Sequence, residues 1–119
     1  MSNINESLAL LMEDPGAIVA SIVDANSGMM LGQVGSGIDL ELASAGNTEV
    51  VRAKMNTMKA LKLDDTIDDM LITLGKQYHI IRPINKNPGL FIYLVLDKSK
   101  ANLALARRHV QDIESQLVV

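Results

Sequence analysis

Apolar residues recur along this chain with two periods, and the switches between them mark its elements. Ile4, Leu8, Leu11 and Met12 recur at helical spacing, and Asp14-Pro15-Gly16 ends that helix because proline disfavours the α conformation in the residue before it. Ala17 to Val23 is rich in β-branched residues. Asp24-Ala25-Asn26-Ser27-Gly28 then supplies turn chemistry before Met29 to Val34, so the two segments form a hairpin. Ile38 to Leu61 carries the longest helical signal. Lys62 to Thr66 breaks the period, and Met70 to Leu74 alternates as a strand with Met70, Ile72 and Leu74 on one face. Gly75-Lys76 is a tight turn into Gln77 to Ile84, where Pro83 cannot donate a ladder hydrogen bond and so belongs at an edge or bulge. Leu90 to Leu96 is apolar on both faces, as a strand covered on both sides should be. From Ser99 onward, Leu103, Ala106, Val110, Ile113 and Leu117 make one stripe of an amphipathic helix. The order is α-β-β-α-β-β-β-α, an α+β chain with an antiparallel sheet.

The segment from Ile38 to Leu61 has more apolar surface than one core requires. At about 100° per residue, Leu42, Ala43, Gly46, Val50, Ala53, Thr57, Ala60 and Leu61 fall on one side, and Leu40, Val51, Met55 and Met58 form a second stripe nearly opposite. Glu41, Thr48, Arg52 and Lys59 fill one gap between the stripes, and Asn47 and Lys54 the other. A helix apolar on two sides needs two partners. One is the sheet; the other is either a terminal helix of the same domain or a second chain, and the pattern alone does not say which stripe meets which.

Composition narrows the function classes. A chain of 119 residues with 48% hydrophobic and 21% charged residues reads as one folded domain spanning 1–119. A net charge of −3 argues against nucleic acid as a partner, and three aromatic residues, Tyr78, Phe91 and Tyr93, are too few for a base-stacking platform. The absence of cysteine removes disulfides, thiolate zinc sites and cysteine nucleophiles. The N-terminal residues lack a basic region and a long apolar core, and the run from Leu90 to Leu96 is far too short to span a bilayer. The expectation is a soluble cytoplasmic protein with no membrane insertion.

Candidate chemistry is sparse. Gly32-Gln33-Val34-Gly35-Ser36-Gly37 lies between a strand and a helix, where glycine loops can cradle phosphate, but its spacing is neither a dinucleotide fingerprint nor a P-loop. It reads as a flexible connector. His79 and His109 have no local company suited to catalysis. Asp64, Asp65, Asp68 and Asp69 lack the alternation and closing glutamate of a calcium loop. The reading is therefore of no catalytic residue, no metal and no cofactor.

The order of elements and the phrases DANSGMMLG, AGNTEVVRAK and ITLGKQYHIIRP resemble the roadblock/dynein light-chain family, particularly its small free-standing bacterial members. The resemblance covers nearly the whole chain and rests on the pattern as a whole, since no short motif in it is invariant chemistry. It implies a five-stranded antiparallel sheet with the long helix on one face and the terminal helices on the other. It also implies a homodimer made by packing the long helices together and pairing the third strands, and a role in regulating Ras-like small GTPases without catalytic residues. The resemblance does not say which stripe meets the partner; Leu40, Val51, Met55, Met58 and Ile72 are the candidate dimer face. Glu41, Thr48, Arg52 and Lys59 are the candidate polar ridge for a GTPase, although nothing makes Arg52 an arginine finger. The alternative is a small-molecule sensor, for which seven methionines would line an adaptable pocket between sheet and helix.

Overall fold

The computed structural model describes residues 2–119. Helix α1 (Ile4–Leu11) leads into a hairpin of β1 (Ala17–Asp24) and β2 (Met29–Gly35), followed by the long helix α2 (Leu40–Ala60). Strands β3 (Met70–Thr73), β4 (Gln77–Pro83) and β5 (Leu90–Asp97) come next, and α3 (Leu103–Gln116) closes the order. All neighbouring strands are antiparallel, in the spatial order β2-β1-β5-β4-β3.

The doubly apolar β5 sits at the centre. Its Ile92, Leu94 and Leu96 join Ala20, Ile22 and Ile80 under α1 and α3, which contribute Leu8, Leu11, Val110 and Ile113. Its Phe91, Tyr93 and Val95 point the other way, with Val19, Val23 and Ile81, beneath Leu40 and Val51 of α2. The long helix thus lies alone on one face, with both terminal helices on the other. Those two helices are tied together at their ends: the Asn3 amide donates to the Val118 carbonyl, and its side chain accepts from Val118 N at 2.7 Å. A half-buried ion pair, Arg82 Nε to Glu114 Oε1 at 3.0 Å, fixes α3 to β4.

Because β2 and β3 are opposite edges, the segment between them must cross the whole sheet, roughly 19 Å for four strand spacings. The 21 residues of α2, about 30 Å of helix, are long enough to do so. Pro83 lies on an interior strand, yet no ladder bond is lost. Ile84 N donates toward β5 at Leu90 O, so by alternation Pro83 N faces the β3 side, and β3 has already ended with Met70 opposite Ile81.

The glycines before α2 serve the fold. Gly35 has φ +90°, and a Cβ there would land on the Ile18 carbonyl oxygen, whereas Gly37 at φ +101° has open space around it. Gly32 lets Ile4 and Leu8 of α1 close over β2. The two substitutions separate strain from clash. Gly37→Ala should lower unfolding free energy by about 1–2 kcal/mol through its φ alone, and Gly35→Ala by more than about 3 kcal/mol because backbone must also move. Urea denaturation monitored by circular dichroism gives both values, and equal losses would mean the Ile18 carbonyl yields freely.

Candidate functional site

Helix α2 begins where Asp39, in an extended conformation, accepts from Leu42 N at 3.1 Å and caps the first turn. Its inward line is Leu40, Ser44, Thr48 and Val51, each buried, at spacings of four, four and three residues. Two of these are polar. The Thr48 hydroxyl donates to the Ser44 carbonyl one turn back at 2.7 Å, which satisfies it without a partner from the sheet. The hydroxyls of Ser21 and Ser44 find no partner among the described residues, so their small size rather than their polarity suits them to this packed face.

This arrangement corrects the sequence expectations. Leu40 and Val51 belong to the protein's own core and are closed to a second chain. Thr48, expected on an exposed polar ridge, is 2% exposed, while Glu41, Arg52 and Lys59 remain exposed. Met55 and Met58 continue the inward line of Val51, but Met55 is 49% exposed and Met58 half-buried. Ile72 is half-buried on edge strand β3, opposite His79. The stripe left in the open is the other one: Leu42, Gly46, Ala53, Thr57 and Leu61 are exposed and Val50 is half-buried.

A polar chain that the sequence did not disclose runs beside this stripe. The Tyr93 hydroxyl, beside Asn47, lies 3.0 Å from His79 Nδ1, and His79 Nε2 is 2.8 Å from Gln77 Oε1. Since Gln77 Oε1 can only accept, His79 carries its proton on Nε2 and takes the Tyr93 proton on Nδ1. The alternation of β4 and β5 already puts His79 and Tyr93 on the α2 face; their lateral contact required knowing that these strands are neighbours. Asp14 and His109 form a second pair at 2.8 Å, between the end of α1 and α3. Asp69 receives two bonds from Arg107, both at 2.9 Å, which anchors the α2–β3 connection to α3.

Burial lowers the His79 pKa below its ordinary 6.5 and, with Asp14 desolvated, raises that carboxyl above 3.8 despite the His109 hydrogen bond and charge. For His79 the unfolded chain binds the proton first as pH falls, so the stability it contributes is complete above about pH 6.5 and is lost below it. Asp14 acts with the opposite sign and nearer pH 4. The protein should therefore lose stability between about pH 7 and pH 5, and His79→Gln should flatten that part of the profile. Thermal melts of both proteins across the range check it, and parallel profiles would remove His79 as the cause.

No model of a known protein family matches the sequence, and no curated protein matches it. Solved structures do. MglB of Myxococcus xanthus superimposes with a TM-score of 0.80 over 93% of this chain and 90% of its own, at 17% identity. An MglB described with a tetrameric arrangement gives 0.84 over 97% and 85%, at 16% identity. A Roadblock/LC7 domain from Streptomyces avermitilis gives 0.78 over 91% and 88%, at 9% identity. Agreement of this extent with so little shared sequence rests on the backbone path, and by that path this protein has the roadblock/LC7 fold.

Proposed function

We propose that the protein is a non-catalytic homodimeric adaptor that binds a Ras-like small GTPase in the cytoplasm and modulates its nucleotide cycle or its location. The observation that carries this reading is the open stripe of α2. With Leu40, Ser44, Thr48 and Val51 already seated on the sheet, Leu42, Gly46, Val50, Ala53 and Thr57 form an outward stripe, mostly of small residues, along most of the helix. Small residues let two helices approach closely, and an apolar stripe of this length in the open is an association surface. Strand β3 offers a second element of the same interface, since it pairs only with β4 and presents its other edge, with Ile72 half-buried beside it. An MglB in a tetrameric arrangement supports self-association of chains with this fold. The sensor alternative draws no support from the structural neighbours.

Charge at two positions only two residues apart discriminates between the two sides of α2. Ala53→Glu should leave a folded protein that runs as a monomer at tens of micromolar, while Val51→Glu should fail to fold, because an unpaired buried charge exceeds what a domain of marginal stability tolerates. Light scattering with circular dichroism reads both. A wild-type protein that is monomeric at that concentration would end the dimer reading.

Glu41, Arg52 and Lys59, exposed on the flank of α2 between the small-residue stripe and the sheet, are the surface we assign to the GTPase. Rim charges of this kind set on-rate and specificity. Arg52→Glu with Lys59→Glu should preserve the dimer and weaken binding at least about tenfold, roughly 1.4 kcal/mol. The partner is first recovered by pull-down and then titrated calorimetrically in both nucleotide states. Unchanged affinity in both states would place the surface elsewhere.

A further inference from the structure

Helix α2 is longer than its seat. After Val51 its inward positions are Met55 and Met58, which face neither sheet nor terminal helix, because β4 ends at Pro83 and β5 begins only at Leu90. The last turns of the helix overhang a hollow of about 640 Å³, within the range of small-molecule sites, with Phe91, Leu90, Pro83 and Val51 among its walls. A second hollow of about 270 Å³ adjoins it, sharing Met55, Thr66, Pro83 and Asn85, and continues beneath Met58 to Ile67. The combined trough follows the helix from Val51 to Met58, about 10 Å.

Its electrostatics are lopsided. Among the described residues, Arg52 is the only charged one lining the larger hollow, whose other polar side chains are Asn26, Asn56, Asn85 and Thr66. The Arg52 guanidinium is steadied by a neutral acceptor, the Asn26 carbonyl oxygen at 2.8 Å. Its nearest carboxylate, Glu49, is 3.7 Å away with both side chains well exposed, a pairing that neutralises little. Lys59 and Asp65, of opposite charge, stand at the rim of the smaller hollow beside Met58, Leu63 and Ile67. A cation with spare donors and no opposing carboxylate in its own hollow therefore stands at one end of the trough, and flexible methionines line the other.

We propose that this trough binds an amphipathic monoanion, a linear acyl carboxylate, with its head group on Arg52 and its chain beneath Met55 and Met58. The carboxylate takes charge-assisted bonds from the guanidinium, and the amides of Asn56 and Asn85 lie within the same hollow as further donors. The chain removes Met55 and Met58 from water, and unbranched methionine side chains adjust to its length. This site does not rest on the adaptor reading, since its lining is complete within one chain.

The test is a nitrogen-15 NMR titration of the full chain with sodium octanoate, with 1-octanol as the uncharged counterpart. Octanoate should give saturable shifts at the amides of Arg52, Met55, Met58, Thr66 and Phe91. Arg52→Gln should weaken octanoate about tenfold and leave octanol within about twofold, because only the charge-assisted contact is lost. Met58→Asp, on a partly exposed position that the fold does not need, should weaken both. No saturable shift by about 10 mM octanoate, or shifts confined to α1 and α3, overturns the proposal. So does an Arg52→Gln protein that binds octanoate as well as the wild type. The same amides moving with protein concentration alone would seat a second copy in the trough and also overturn it.

Discussion

A strand that is apolar on both faces must be covered on both, and every layer of this structure answers to β5. From Phe91 to Leu96 no residue exceeds 2% exposure. One face takes two amphipathic helices, whose apolar stripes interlock over Leu94 and Leu96. The other takes α2, since the chain must pass from the β2 edge to the β3 edge over that face. Burial of this order, at about 25 cal/mol for each square ångström of apolar surface, is the main favourable term available to a chain without disulfides.

A single helix covering a five-stranded sheet cannot cover it evenly. Its first half presses close, through Ser44 and Thr48, whose small side chains admit the backbone. That seat fixes the rotation of the helix and so the direction of every other residue on it: the small apolar stripe outward, Glu41, Arg52 and Lys59 to one flank, Asn47 and Lys54 to the other. The same seat ends at Val51, which leaves the methionines above a hollow. The stripe, ridge and trough are consequences of one docking angle.

The elements themselves were legible in the sequence, because periods of two and of about 3.6 residues are written in adjacent apolar positions. The proline-glycine stop after α1 marked its boundary correctly, whereas Pro83, expected at an edge or bulge, sits on interior strand β4 just past the end of β3. The rotation of α2 was not legible. Counting Thr48 as polar put it with Arg52 and Lys59, yet its hydroxyl is satisfied on the Ser44 carbonyl of its own helix and needs no water. With that one residue misplaced, Leu40 and Val51 passed for an outer stripe. A pattern that scores threonine and serine as neutral on helices would have read Leu40, Ser44, Thr48 and Val51 as a continuous inner line. The His79–Tyr93 contact lay beyond any such scoring, since it depends on which strands are neighbours and not on what either strand contains.

That contact bears on what can pack against α2. Polar groups on a surface oppose its burial when they must give up water without replacement. On the flank where Asn47 stands, the Tyr93 hydroxyl and both nitrogens of His79 are already engaged along a chain that ends on Gln77. Ile72, opposite His79 on β3, adds apolar area beside them. A second copy laid along the small-residue stripe would therefore cover groups that have exchanged water for protein partners in advance. Protonation of His79 undoes this, because Nδ1 then becomes a donor facing the Tyr93 hydroxyl, and the chain loses its single direction. The feature that makes the flank suitable for burial also makes it sensitive to acid.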